Sequence, residues 1–195
     1  SDEFIPLEFM EKGLNGLKKY GIEIDVRQWK HDNLEMLQKD NLIIEKNGPD
    51  FVELSEKLMN NIEEYDILIV QFAPVSKKLI DRAKNLKIIG VLRGGIENVD
   101  YKYAASKDIA VINTPGRNSR AVAEFTIGMI LSEIRNISRS YAALKTGNWR
   151  KKFPNSGSIP GLYNKIVGLV GFGHVGKLVA DYLKVFGCRV ISYDP

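Results

Sequence analysis

The stretch that decides the fold is Lys165–Pro195, which reads KIVGLVGFGHVGKLVADYLKVFGCRVISYDP. It opens with the apolar, β-branched run Lys165–Val170, which is typical of a buried parallel strand. Three glycines in G-x-G-x-x-G spacing follow, and an apolar pattern with helical periodicity comes after them. A second strand-like run, Arg189–Tyr193, leads directly to Asp194. The stretch therefore predicts a βαβ unit with a glycine turn between its first strand and its helix.

Each part of this unit has a physical task in holding a dinucleotide. Gly171 permits the tight turn, Gly173 lets the backbone approach a pyrophosphate, and Gly176 allows the helix to pack closely on the strand. The helix N-terminus offers unpaired N–H groups and a partial positive charge to the phosphates. Asp194 is placed to accept hydrogen bonds from the adenosine ribose. The combination predicts a dinucleotide site, which the glycines alone would indicate only weakly.

Helical and strand-like patterns alternate along the rest of the chain. The strand-like runs are Ile22–Gln28, Asp66–Phe72, Lys87–Leu92 and Ile109–Asn113. The helical patterns are Leu7–Tyr20, most of Asn33–Glu64, Ser76–Asn85 and Asp100–Lys107, with Ser76 and Asp100 as expected N-caps. This alternation predicts an α/β fold with a parallel sheet and helices on both faces. Since the first pattern is a helix, we expect a further strand upstream of Ser1.

A change of organisation follows the dense turn Thr114–Asn118. One long helix is predicted over Ser119–Leu144, and Gly147–Gly161 is rich in loop-forming residues. We therefore expect two domains, residues 1–115 and residues 116–195. The second would hold only two strands of a doubly wound nucleotide domain, so we expect that domain to continue beyond Pro195.

Composition excludes several classes of function. The chain is 44% hydrophobic and 27% charged with a net charge of +4, and it shows no concentrated basic stripe of the kind that binds nucleic acid. Its single cysteine, Cys188, cannot form an internal disulfide, which favours a reducing, cytoplasmic setting. Two histidines without a Cys/His cluster argue against a metal site. No apolar run is long enough to span a membrane.

Three ordered blocks carry a resemblance to a known family. They are GVLRGGIENVD at Gly90–Asp100, NTPGRNSRAVAEFTIGMILSEIRN at Asn113–Asn136 and GLVGFGHVG at Gly168–Gly176. Together they resemble the NAD-dependent D-isomer-specific 2-hydroxyacid dehydrogenases, above all the D-3-phosphoglycerate dehydrogenase-like branch. The resemblance implies a flavodoxin-like substrate domain followed by a Rossmann dinucleotide-binding domain. It also implies hydride transfer between NAD and a small 2-hydroxy or 2-keto acid, in a homodimer joined through the long helix and the loop around Trp149.

The resemblance also implies site residues. Those for the cofactor are Gly94, Gly171, Gly173, His174, Val175, Gly176 and Asp194, and those for the substrate are Arg93, Gly94 and Gly95. Asp194 should repel a 2′-phosphate, which favours NAD over NADP. The family's catalytic Arg, Glu and His match no position up to Pro195. No catalytic residue is assigned, and we expect the chain by itself to be inactive.

The loop at Arg93 departs from the commoner family pattern, which has Arg at the position of Val91 and Asp at that of Glu97. Arg93 either clamps a second acidic group on the substrate or pairs with an acidic side chain. Two other functions stay open because a fold does not fix a function. One is an NAD(H)-sensing corepressor or scaffold. The other is a methyltransferase, which Gly176 and the two upstream blocks disfavour.

Overall fold

The computed structural model of the chain describes residues 1–158 and 161–195. The chain divides into two compact units, Ser1–Pro115 and Gly116–Pro195. Each unit combines helices with a parallel sheet, so the predicted α/β class is confirmed. No helix in the described ranges has both the length and the apolar character that crossing a bilayer requires.

The first unit is built on a three-stranded parallel sheet. Its strands are β1 (Ile67–Val70), β2 (Ile88–Val91) and β3 (Ala110–Asn113), paired in that order with Ile67 opposite Ile88 and Ile88 opposite Ala110. Its α-helices are α1 (Leu7–Leu14), α2 (Leu34–Asn47), α3 (Glu56–Met59), α4 (Lys77–Arg82) and α5 (Tyr101–Ser106). Short 3₁₀ turns lie at Asn15–Tyr20, Pro49–Phe51 and Ile62–Glu64. The strands at 67–70, 88–91 and 110–113 lie within the runs predicted from the sequence.

Polar side chains fix where the helices of this unit begin. The Ser76 hydroxyl accepts a hydrogen bond from the Leu79 N–H (3.3 Å), and the Asp100 carboxylate accepts one from the Tyr103 N–H (3.0 Å). Both predicted N-caps are therefore confirmed. Each cap satisfies an N–H that the first turn leaves unpaired, which is worth about 1 kcal/mol.

The core of the first unit lies against the middle strand. Ile89 and Val91 on β2 are fully buried and pack with Val75, Leu79 and Ala104. Burying a side chain of this size contributes about 1.5–3 kcal/mol. A second cluster, centred on Trp29, Leu37 and Ile44, fixes α2.

The predicted strand at Ile22–Gln28 is wrong, because this segment joins no sheet. Its only backbone pairing in the described chain is with the first residue. The Trp29 N–H donates to the Ser1 carbonyl (2.9 Å), and the Ser1 amine donates to the Arg27 carbonyl (2.9 Å). A strand needs a neighbouring ladder of hydrogen bonds, and an apolar alternating sequence cannot supply one by itself.

The second unit contains a two-stranded parallel sheet with two helices packed together beside it. Its elements are α6 (Ser119–Ile134), α7 (Ile137–Lys145), β4 (Ile166–Val170), α8 (His174–Val185) and β5 (Arg189–Tyr193). Val170 on β4 stands opposite Tyr193 on β5. The core is formed by Ala123 of α6, Val179 and Leu183 of α8, and the neighbouring Leu162 and Cys188. The predicted βαβ unit is confirmed.

Two expectations for this unit are wrong. The long helix Ser119–Leu144 is interrupted at Asn136, whose left-handed backbone (φ 57°) ends one helix and starts another. Asparagine adopts this conformation more readily than other residues with a Cβ, and Arg139 donates to its side-chain oxygen at 2.9 Å. The strand β4 is buried on one face only, with Ile166 64% and Val170 91% exposed.

The predicted loop Gly147–Gly161 forms turns and irregular chain as far as it is described, and positions 159–160 lie outside the described residues.

Candidate functional site

The turn between β4 and α8 is shaped by two of its three glycines. Gly171 has φ +98°, a backbone conformation that a residue with a Cβ rarely adopts. At Gly176 a Cβ would overlap the carbonyl oxygen of Gly171, so only glycine lets α8 approach the end of β4 this closely. At Gly173 a Cβ would meet nothing within 4 Å. The space above Gly173 is open, which is what a pyrophosphate approaching the backbone requires.

The N-terminus of α8 presents a cluster of free donors beside this open space. In the part of the chain that the structure describes, the N–H groups of His174, Val175 and Gly176 meet no acceptor, and no side chain caps the helix at Gly173. The first such bond is Lys177 N–H to the Gly173 carbonyl at 3.1 Å. These N–H groups and the helix dipole favour an anion at this end of α8.

Asp194 lies at the carboxyl end of β5, beside the same turn. One of its carboxylate oxygens accepts a hydrogen bond from the Phe172 N–H at 3.1 Å. The backbone supports this placement, since the Gly171 N–H donates to the Tyr193 carbonyl at 2.7 Å. The acid is therefore held next to the glycine turn while remaining exposed to solvent. The three glycines, the helix N-terminus and Asp194 form one site.

His174 begins α8 and is exposed, but its ring rests on another turn. A Cβ on Gly116 would lie 3.2 Å from the His174 ring, and Gly116 itself has φ +76°. The Ser119 hydroxyl and N–H both bond the Gly116 carbonyl, at 2.7 and 3.1 Å, and hold that turn. The side chain of His174 is therefore oriented by packing. Val175 turns its side chain to the core, so only its N–H faces the site.

The second group of candidate residues lies in the first unit, on the loop that follows β2. In the described chain, the N–H groups of Gly94, Gly95 and Ile96 meet no hydrogen-bond acceptor. Neighbouring free N–H donors at the carboxyl end of a parallel strand are groups of the kind that bind a carboxylate. We call the segment Leu92–Asp100 the Arg93 loop.

Two asparagines that the sequence motifs did not single out as site residues hold the Arg93 loop in place. The Asn113 side chain donates to the Gly94 carbonyl at 2.6 Å, and the Thr114 N–H donates to the Arg93 carbonyl at 3.1 Å. Asn98 is fully buried and donates to the carbonyls of Gln71 and Ala73, at 3.3 and 3.0 Å. The signals in the sequence were an asparagine three residues after Gly95 and another at the end of a predicted strand.

The Arg93 side chain is engaged by groups of its own unit. Its Nη2 lies 3.3 Å from Glu45 Oε1 on α2 and 3.4 Å from Glu97 Oε2 on the loop. The guanidinium also stacks on Phe72, 4.7 Å from the ring centroid. The sequence left two roles open for Arg93, binding a second acidic group of the substrate or pairing with acidic side chains. The structure shows the second, the pairing with acidic side chains.

Comparison with known proteins identifies the family. The family described as D-isomer specific 2-hydroxyacid dehydrogenase, catalytic domain, matches residues 24–194. The chain belongs to this family. The prediction made from three sequence blocks is thereby confirmed, and the match extends upstream into the region where the blocks gave no detailed likeness.

Individual D-2-hydroxyacid dehydrogenases support the assignment. A hydroxypyruvate reductase from Thermotoga maritima is 40% identical over 141 residues, which are 72% of this chain and 45% of the relative. A D-3-phosphoglycerate dehydrogenase from Methanocaldococcus jannaschii is 39% identical over 142 residues, which are 72% of this chain and 26% of the relative. The NAD⁺-bound 3-phosphoglycerate dehydrogenase of Entamoeba histolytica is 27% identical with a TM-score of 0.54, over 74% of this chain and 42% of that one. The chain thus spans less than half the length of these dehydrogenases.

Proposed function

We propose that the protein is an NAD-dependent dehydrogenase that interconverts a D-2-hydroxy acid and the corresponding 2-keto acid. The observation that carries this proposal is the match to the family over residues 24–194, together with the glycine turn and Asp194 at one site. The Entamoeba relative was crystallised with NAD⁺, and the curated relatives are named for reactions of 2-hydroxy or 2-keto acids.

The residues present fit the dinucleotide. The open space above Gly173 admits a pyrophosphate, and the free N–H groups of His174, Val175 and Gly176 point to where it would lie. Asp194 would accept the ribose hydroxyls with the carboxylate oxygen that Phe172 leaves free, and its charge would repel a 2′-phosphate. NAD is therefore the expected cofactor rather than NADP.

The Arg93 loop would hold the substrate. The N–H groups of Gly94 and Gly95 would bind its carboxylate, with Gly94 also beside the nicotinamide as the family resemblance implies. NAD(H), when bound beside these residues, would supply the acceptor or donor of the hydride for C2 of the substrate. This chain's contribution is to bind and orient the reactants, and we assign none of its residues to proton transfer.

The assembly we propose is a homodimer in the cytoplasm. The outward faces of α6, α7 and the following loop expose Phe125 (69%), Met129, Tyr141, Leu144 and Trp149 (75%). Large apolar side chains exposed on neighbouring elements are the raw material of a protein–protein interface. A single free cysteine suits a reducing compartment.

The test uses the full-length protein. NADH and NADPH are titrated by fluorescence, and small 2-keto acids are then screened for cofactor oxidation. We expect NADH to bind at least tenfold more tightly than NADPH, and at least one keto acid to be reduced to the D-isomer.

A matched pair of substitutions tests the role of Asp194. Asp194→Asn should weaken NADH binding by about tenfold and narrow the preference over NADPH, since a charge-assisted hydrogen bond is worth about 1.5 kcal/mol or more. Asp181→Asn removes the same charge from the outer face of α8, where Asp181 pairs with Lys184, and should change neither affinity.

Tight NADPH binding without NADH binding would refute the cofactor assignment. Binding without turnover of any keto acid would refute the enzymatic one.

A further inference from the structure

The two curated relatives are named for substrates that differ in charge. They match this chain almost equally well, yet one is named for hydroxypyruvate and the other for a phosphorylated hydroxy acid. The two substrate types differ in whether a second anionic group accompanies the carboxylate. An arginine beside the carboxylate-binding N–H groups would ordinarily favour that second anion.

In this chain Arg93 is already neutralised. One cation faces two carboxylates, Glu45 at 3.3 Å and Glu97 at 3.4 Å, so the cluster carries a net charge of −1. The Arg93 side chain is only 17% exposed, and Phe72 covers one face of its guanidinium. Both carboxylates remain about half exposed and so present their charge to the solvent side of the loop.

The negative charge also lies directly at the proposed substrate site. A Cβ added to Gly95 would overlap the Glu97 carboxylate, which shows that this carboxylate touches the loop backbone next to the free N–H groups. A ligand with one carboxylate can use those N–H groups. A second anionic group in the same place would meet Glu97 and would find Arg93 occupied by its two partners.

We propose that the Arg93–Glu45–Glu97 cluster makes this enzyme selective for keto acids that carry a single negative charge and disfavours phosphorylated ones. The inference rests on the proposed function and names the substrate class of the same site. Arg93 acts as the centre of an ion-pair cluster that sets the charge of the loop, and Glu97 and Glu45 determine specificity.

The experiment compares two substrates that differ by one phosphoryl group, hydroxypyruvate and 3-phosphohydroxypyruvate. Both are assayed with NADH and the full-length protein at low ionic strength, and the quantity measured is the ratio of their kcat/KM values. The wild-type protein should favour hydroxypyruvate by tenfold or more. Since the discrimination is ionic and partly exposed to solvent, the ratio should fall as salt is added.

Removing one carboxylate should free Arg93 in part. Glu45→Gln keeps the size of the side chain, and it should shift the ratio toward the phosphorylated substrate by about tenfold, because one unit of charge acts over a few ångströms of partly hydrated protein. The change should appear in KM for 3-phosphohydroxypyruvate. Glu35→Gln makes the same charge change near the other end of α2 and should leave the ratio unaltered. Glu97→Gln is a second, independent variant that should shift the ratio in the same direction.

Each outcome is decisive. Turnover of both substrates with a wild-type preference for 3-phosphohydroxypyruvate would overturn the inference and leave the proposed function intact. An unchanged ratio in both Glu45→Gln and Glu97→Gln would do the same. If the wild-type protein reduces neither these two nor any other keto acid, the proposed function fails and this inference fails with it.

Discussion

The close approach of α8 to β4 leads to a sharp prediction for Gly176→Ala. The added methyl group would overlap the Gly171 carbonyl oxygen and lie 3.2 Å from its carbonyl carbon, whereas real Cβ atoms essentially never come within 3.0 Å of another heavy atom. The obstacle is backbone, so no side-chain rotation relieves it. The first turn of α8 must move away from the end of β4.

The size of the effect follows from that displacement. Reaching ordinary van der Waals contact requires a shift of about 1 Å. Overpacking of this kind costs about 1–3 kcal/mol, and the better helix propensity of alanine returns about 0.5–1 kcal/mol. We expect a net loss of about 1–2 kcal/mol in the stability of the second unit. The same shift misplaces the N–H groups of His174 and Val175, so NADH affinity should fall by about 10- to 100-fold, at about 1.4 kcal/mol per tenfold.

Two other glycines serve as matched controls. At Gly173 the backbone is extended (φ −73°) and a Cβ meets nothing, so Gly173→Ala should change stability by less than about 0.5 kcal/mol. Its methyl group would fill the space that the pyrophosphate needs, so NADH binding should still be lost. Gly128 lies in α6 with open space around it. Gly128→Ala should stabilise the unit by about 0.5–1 kcal/mol and leave NADH binding unchanged.

The assay combines NADH fluorescence titration with hydrogen exchange of peptides from β4, α8 and β5 as urea is raised. Exchange resolves this unit from the first one, which a single global transition would not do. The reasoning is refuted if Gly176→Ala keeps both wild-type stability and wild-type NADH affinity. It is also refuted if Gly173→Ala destabilises the unit as much as Gly176→Ala does.

Two further predictions concern the proposed dimer interface and the pH dependence of the first unit's stability. If the proposed homodimer forms, Phe125→Glu should convert it to monomers in sedimentation experiments, because the substitution buries a charge in the proposed contact. Val185→Glu makes an equally drastic change at an exposed position of α8 and should leave the dimer intact. A dimer that survives Phe125→Glu would contradict the proposed interface. The Tyr65 hydroxyl and Arg27 lower the pKa of Asp25 from 3.8, so its stabilising contribution is present above that pH and is lost as the pH falls through the lower, folded value. Asp25→Asn should therefore weaken the dependence of stability on pH below pH 3.8, measured by the fluorescence of the buried Trp29 during acid unfolding. Asp32→Asn should keep the wild-type dependence. An identical dependence in Asp25→Asn and in the wild type would exclude this role of Asp25.

Local chemistry explains why much of the fold could be predicted. Ser76 and Asp100 cap helices using atoms three residues away, and Gly171 and Gly176 follow from the geometry of a single turn. Two of the failures depend on whether neighbouring strands are present, which the local sequence does not determine. Ile22–Gln28 has a strand's pattern, but strand formation depends on a neighbouring ladder. The run at Ile166–Val170 is apolar throughout, yet a two-stranded sheet buries only one of its faces.

The sequence by itself determined the family and the βαβ unit, and it predicted the residues that we propose hold a dinucleotide, because these depend on spacing within a short segment. Only the tertiary structure decided the charge around the Arg93 loop. Arg93 and Glu45 are 48 positions apart in the chain, and no local pattern relates them. Packing of α2 against the segment that follows β1 brings the two side chains to 3.3 Å from each other. An ion pair of this kind depends on distance in space, which the order of residues does not encode locally.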